Sequence, residues 1–360
     1  MKTRAIQPFH FPTTVAFIDD SPQFLSNLSL QLDSRLAFRL FHSPFAALVA
    51  LNGTTAAQPL AERFFSLYRH RADKSQTRHV IDVSLDMIHR EVHNEHRFEQ
   101  VSVVVVDYDM PEIDGLEFCR NLRNKAIKKI LLTGKADEQV AVRAFNEKII
   151  DRFIRKQNDD VMTLLNSAIA ELQQEHFDQI EHMLSDALAV GSHPFLRDPG
   201  FAQRFAEIRG SLGIVEHYLS CSPDGILMLD MHGTAYLLIV QTEEMIQGHY
   251  EIASDQDAPE ELLQQLRSGS SLPYFWKTGG NYSPLYEDWQ PCLHPAIEFK
   301  GEDWYLYSLV KNPGAFNLKY VYPYSEYLDH LDREARQTSS GSRTTRPAGF
   351  LFWGLVRAAP

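Results

Sequence analysis

The stretch VSVVVVDYDMPEIDGLEFC (101–119) decides how this chain is read. Five valines in six residues run into three aspartates within the next eight. An apolar run of this length, bounded by acids and a proline, reads as a strand buried on both faces. Carboxylates clustered at its end are costly unless a cation offsets them.

Working outward, TVAFIDD (14–20) repeats the pattern of an apolar strand ending in acids. SPQFLSNLSLQLD follows with Phe24, Leu28 and Leu32 at helical spacing, Ser21 as N-cap and Pro22 at the first helical position. RLAFRLFHS is a second strand candidate. No clear strand is expected between Pro44 and Gln100. VSVVVVDYD is the third strand, DGLEFCRNLRN a helix, KKILLTG a strand, DEQVAVRAFNEKI a helix and DRFIRK a last strand. Strands alternating with helices imply right-handed crossovers and a parallel sheet, with ligands at the carboxyl ends of the strands. The expected fold is α/β, a doubly wound five-stranded parallel sheet.

Four strand ends carry groups that chemistry can use: Asp19 with Asp20, Asp107, Thr133 and Lys156. Three converging carboxylates call for a cation, and a hard divalent ion such as Mg²⁺ takes oxygen ligands of this kind. Lys156 would neutralise a phosphoryl oxygen and Thr133 would donate to another. Together they suit phosphoryl transfer to a carboxylate.

At these residues the chain resembles the receiver (CheY-like, flavodoxin-like) domain of two-component response regulators. IDD (18–20) resembles the family's acidic pair, DYDMPEIDG (107–115) its phosphoacceptor strand end and loop, LLTG (131–134) its hydroxyl, and FIRK (153–156) its lysine with an aromatic three residues earlier. The resemblance implies that Asp107 takes a phosphoryl group from a sensor histidine kinase or phosphotransfer protein. It implies Mg²⁺ bound by Asp20, Asp107 and the backbone carbonyl of Asp109, with Asp19 assisting through water. Thr133 and Phe153 would form the switch pair. Two features depart from the family. Gln157 stands where proline usually follows the lysine, so the turn is trans or strained. And 86 residues separate Asp20 from Asp107, about twice what a strand, a helix and their loops require.

The organisation expected is a receiver over 1–157 with an insert at about 51–99, a long signalling or dimer helix over 158–190, a smaller α+β output domain over 195–333, and a disordered tail over 334–360. The insert holds five of the fifteen histidines; His89, His93 and His96 are spaced for one helical face, as a metal or pH-sensing site or as a solvated amphipathic helix over Ile88 and Val92. The long helix carries Val161, Leu165, Ala168 and Leu172, then Phe177, Ile180, Leu184 and Leu188, with a register break that admits a coiled-coil half or a bend near Gln173.

In 195–333, GILMLDMHGTAYLLIV and AIEFKGEDWYLYSLV read as hairpins turning at His232-Gly233 and Lys300-Gly301, and APEELLQQLRSG as a helix. EHYLSCSPDGILMLDMHGTAYLLIV faintly resembles the opening helix and first hairpin of PAS-type sensor domains. Ser222, Asp230 and His232 lie in one strand-turn-strand, where a hydrolytic set seldom converges. Ten aromatics between Tyr274 and Tyr307 suit a core, a ligand pocket or an interface. The final apolar stretch FLFWGLVRAAP reads as a docking peptide or an artefact.

The formal charge is −12, and 195–333 alone holds 9 Lys and Arg against 20 Asp and Glu. So acidic an output repels a phosphate backbone, and a nucleic-acid partner is not expected. No apolar run reaches the ~18 residues of a membrane span, and three scattered cysteines fit a reducing cytoplasm. The chain is therefore expected to be a cytoplasmic, homodimeric, phosphorylation-dependent regulator whose output binds a protein or small ligand, not an enzyme beyond its own phosphotransfer and dephosphorylation. Its layout also resembles atypical regulators of quorum-sensing circuits. The alternatives are a DNA-binding transcriptional regulator or an unrecognised enzymatic output.

Overall fold

The computed structural model describes residues 5–53, 63–73, 76–134, 138–188, 193–286 and 288–340. They fall into two compact units, and the chain enters each more than once. One unit takes its described residues from 12–53, 96–179 and 324–340, the other from 5–11, 63–95 and 180–323.

The first unit is built on a five-stranded sheet in the order Ala37–Phe41, Thr14–Ile18, Val101–Asp107, Lys128–Thr133, Arg152–Arg155. Every neighbouring pair is parallel. The valine run is the central strand. Val104 and Val106 face a core with Ile18, Leu116, Phe118 and Leu131. Val103 and Val105 face the opposite core, with Phe17, Ile130 and Leu132. Burial on both faces explains why this strand is apolar throughout. Ser21 and Ser43 cap the helices Pro22–Ser29 and Pro44–Asn52, each with proline in the first turn.

The long helix is one continuous element, Val161–Leu188, and not two helices. Leu165, Ile169 and Leu172 bury against the second sheet face. Gln173 Nε2 donates to Thr13 O and Oγ1, both at 3.0 Å.

The second unit holds a six-stranded antiparallel sheet in the order Phe9–His10, Ile214–Cys221, Asp224–Asp230, Ala235–Gln241, Trp304–Lys311, Ile297–Lys300. Helices Glu243–Asp255 and Glu260–Ser268 cover a smaller core that takes in Phe275, Tyr282 and Trp289. Much of the aromatic density is therefore packing. Both expected hairpins form, but the stretch opening the PAS-type reading is the strand Ile214–Cys221; the helix lies before it, at Pro199–Leu212.

Other boundaries differ from the sequence reading. Residues 9–10 belong to the second unit's sheet, not to a receiver spanning 1–157. The insert is not strand-free: Phe65–Asp73 pairs antiparallel with Gln76–Val83. Charged residues interrupt its alternation, and 74–75 carry no Gly or Asn to mark a turn. His89 lies on the short helix Asp86–Arg90, His93 in a 3₁₀ turn, and His96 in the other unit beside Glu99 at 2.9 Å; they share no helical face. Ile88 and Val92 are buried as expected.

The tail reading fails for 334–340. Tyr324–Ser340 is a helix counted with the first unit. Its Tyr324, Tyr327, Leu328, Leu331 and Ala335 form a buried stripe. Tyr324 Oη donates to Arg35 O and accepts from Ala37 N, at 2.6 and 3.0 Å. The apolar C-terminal stretch lies outside the described residues.

Candidate acidic site at the sheet edge

Parallel pairing brings the expected residues together. Ile18 is level with Val106, so Asp19, the next residue, comes level with Asp107. Asp107 is level with Leu132, and Thr133 with Arg155, the residue before Lys156. Asp19 and Asp107 are buried, at 2% and 7% exposure, whereas Asp20 is exposed. One carboxylate oxygen from each of the three can be chosen so that all lie within 4.8 Å of one another. Among the described residues this is the only His, Cys, Asp and Glu grouping with metal-binding spacing.

Lys156 closes the site from the last strand. Its Nζ lies 2.7 Å from Asp19 Oδ2 and 2.8 Å from Asp107 Oδ2. Burial alone would lower the Lys156 ammonium, but hydrogen bonds to Asp107 and Asp19 hold it above the usual lysine value. Burial pushes the Asp107 carboxyl up; Lys156 opposes the shift and Asp19 adds to it. One ammonium thus pairs with two of the three carboxylates, Asp19 and Asp107, which leaves the cluster short of positive charge.

Three features support the cluster. Asp19 Oδ1 accepts from Ser21 N at 2.9 Å. Phe24, which the sequence reading used only as a helix apolar position, lies under Lys156, its ring centroid 4.4 Å from Nζ. Gly115 allows the loop to close on the strand, since a Cβ there would stand 2.3 Å from Asp107 O. Asp114 belongs to the helix, not the site: its Oδ1 accepts from Glu117 N at 2.7 Å as the N-cap of Gly115–Asn121.

The remaining expected residues are placed as follows. Asp109 is exposed in the loop after the strand. Thr133 is fully buried, and its Oγ1 has no hydrogen-bond partner. A buried hydroxyl left unpaired marks a position where a ligand oxygen fits. Phe153 is half-buried against the core of Val106 and Leu131. The one cis peptide among the described residues is Ser222–Pro223, so the bond before Gln157 is trans.

In the second unit the Ser222, Asp230, His232 set does not assemble. Asp230 Oδ1 accepts from His232 N and Thr234 N in its own turn, and Ser222 lies at the other end of the strand Asp224–Asp230.

The sheet order and this all-oxygen cluster with its lysine define a receiver domain. The family model described as the response regulator receiver domain matches residues 76–178. That span holds Asp107, Thr133 and Lys156 but begins after Asp19 and Asp20, which the long insertion separates from the rest. Among solved structures, the Legionella pneumophila response regulator LqsR is 38% identical with a TM-score of 0.72, over 92% of this chain and 98% of that one. A receiver domain protein from Clostridium thermocellum (17% identity, TM-score 0.31, 45% and 95% covered) and an adenylate cyclase from Rhodopirellula baltica (20%, 0.33, 48% and 98%) align over about half of the chain. No curated protein matches significantly. The chain belongs to the response regulators, and its likeness to LqsR covers more than a receiver alone.

Proposed function

We propose that Asp107 is the phosphoacceptor of a phosphorylation-controlled response regulator. The observation that carries this reading is Lys156 held between Asp19 and Asp107 beside the unpartnered hydroxyl of Thr133. A carboxylate oxygen of Asp107 attacks the phosphorus of a phosphohistidine on a kinase or phosphotransfer protein. The new O–P bond forms as the P–N bond breaks, and the imidazole leaves with the electron pair and takes a proton. Lys156 and the Thr133 hydroxyl then bind phosphoryl oxygens. That draws Thr133 toward the site and gives the half-buried Phe153 ring room to move inward.

The donor set suits a hard divalent ion: three carboxylates, two of them buried, with one ammonium for compensation. Asp19, Asp20, Asp107 and the carbonyl of Asp109 would hold Mg²⁺, which when bound neutralises charge on the acceptor and the phosphoryl group. The chain's own chemistry ends at phosphotransfer and dephosphorylation. The second unit is the output, binding a protein or a small ligand, and the working protein is a cytoplasmic homodimer. A cell-density signalling role rests on the layout shared with atypical regulators of that class. Among the described residues no helix is long and apolar enough to cross a membrane.

Hydrogen exchange on the full chain tests the switch. Phosphorylation by a small phosphodonor with Mg²⁺ is expected to change protection in peptides covering 128–134 and 152–156. Stoichiometric phosphorylation with no change in either peptide would contradict it.

A further inference from the structure

Lys156 is held from three directions, and only two of them are charged. Its Nζ donates to Asp19 Oδ2 and Asp107 Oδ2, at 2.7 and 2.8 Å. The third side is the ring of Phe24, whose centroid lies 4.4 Å from Nζ. An ammonium has three N–H donors, and two of these go to carboxylates.

Phe24 is set in place by the same acid that holds the lysine. Asp19 Oδ1 accepts from Ser21 N at 2.9 Å. Ser21 Oγ accepts from Phe24 N at 3.3 Å, as the cap of helix Pro22–Ser29. That helix buries Leu25 and Leu28 in the second core, and the half-buried Phe24 packs against it. Lys156 follows the last strand, with its backbone N–H on Thr133 O at 3.0 Å. Asp19, Ser21, Phe24 and Lys156 thus form a closed ring of contacts.

A leucine at position 24 would serve the core as well. Only an aromatic ring adds a face of negative potential, worth most toward a cation shielded from water. The Lys156 side chain is 25% exposed. Attack by Asp107 changes what its partners offer. The attacking oxygen enters an ester, and its negative charge passes to the phosphoryl oxygens. The Asp107 hold on the ammonium weakens as Lys156 turns to a phosphoryl oxygen. Asp19 and the Phe24 ring are the two holds that persist.

We infer that Phe24 is a positioning residue for phosphotransfer: its ring keeps the Lys156 ammonium at the sheet edge while Asp107 gives up its charge, and takes no hydrogen bond that a phosphoryl oxygen needs. The inference rests on the reading of Asp107 as phosphoacceptor. The ring's share of the hold on Lys156 is larger in the transition state than at rest, so its loss slows the reaction.

The test is the rate of phosphoryl gain by the full chain with phosphoramidate and saturating Mg²⁺, followed by intact mass. The O–P bond forms as the P–N bond breaks, and ammonia leaves with the electron pair. Phe24→Leu is expected to react about threefold to tenfold more slowly, and Phe24→Tyr to keep the wild-type rate. Phenylalanines bearing one, two and three ring fluorines at position 24 keep the shape and drain negative potential from the face. The rate is expected to fall with each fluorine, and this series carries the test if Phe24→Leu does not fold. In chelator, the fluorine NMR signal of the singly fluorinated chain is expected to move in Lys156→Gln. Four results overturn the inference and leave the Asp107 reading standing: a wild-type rate in Phe24→Leu, a Phe24→Tyr as slow as Phe24→Leu, a level rate across the fluorinated series, or an unmoved fluorine signal. No phosphoryl gain by wild type overturns both.

Discussion

Asp107 is held in a state that suits chemistry better than stability. Burial, and then the Asp19 charge, raise its carboxyl pKa above the usual value despite Lys156. A raised folded value means that the native state keeps this proton more tightly than the unfolded chain does. Ionising Asp107 therefore costs stability, and the cost builds as pH rises from the ordinary carboxylate range through the raised value. Asp107→Asn removes that cost and keeps an oxygen for Lys156. It is expected to raise the stability of the receiver at neutral pH by about 0.5–2 kcal/mol, as charge removal at functional sites commonly does. Urea midpoints of variant and wild type measure this; a lower midpoint for Asp107→Asn would show that the carboxylate is structural. At this scale the sequence was informative, because Asp107 and Thr133 end strands, Asp19 and Lys156 follow directly upon one, and Asp20 stands next to Asp19. Phe24 was not legible as a neighbour of Lys156, since helical spacing shows that a residue is apolar and not what its ring touches.

The long helix is fixed to the receiver by a histidine that the sequence reading passed over. His176 Nδ1–H donates to Ala126 O at 2.8 Å, and its Nε2 accepts from Gln100 Nε2 at 2.8 Å. Burial holds its pKa down at about 4; the bond to Ala126 opposes this and Lys128 adds to it. The folded value lies below the unfolded one, so the unfolded chain gains a proton first as pH falls. Stability is lost between roughly pH 6.5 and 4, by up to about 1.4 kcal/mol per pH unit. Amide exchange of peptides within 101–134 reads this for the receiver separately. His176→Gln is expected to be weaker at neutral pH by about 1–3 kcal/mol and to flatten the acid slope; a slope equal to wild type would assign it to other groups. The elements that were misread share one cause. The hairpin Phe65–Asp73 with Gln76–Val83 and the helix Tyr324–Ser340 lack local signals: the first has no turn residue, and the second's apolar stripe buries against residues some 290 positions earlier, as Tyr324 does at Arg35 and Ala37. Where the partner is the next strand, as in 101–156, pattern alone sufficed.

The chain does not divide into two halves at a linker. The second unit's sheet ends in a strand from the N-terminus, Phe9–His10, and the first unit includes a helix from beyond residue 323. A fragment of 195–333 would leave the edge of Ile214–Cys221 unpaired, and a fragment of 12–179 would lose the partners of Thr14, Arg35 and Ala37. Both fragments are expected to aggregate or to melt below the full chain in circular dichroism. Cooperative melting of each at the full-chain midpoint would contradict the division into interleaved units. The contacts of Phe9–His10 and of Tyr324–Ser340 join segments far apart in sequence, which no local pattern of these residues marks. The central claim remains that these distant strand ends make one phosphoacceptor site in the intact molecule. Intact-mass measurement after incubation with a small phosphodonor and Mg²⁺ tests it most directly: wild type is predicted to gain one phosphoryl group and Asp107→Asn none, whereas an equal gain in both, or none in either, would contradict the account.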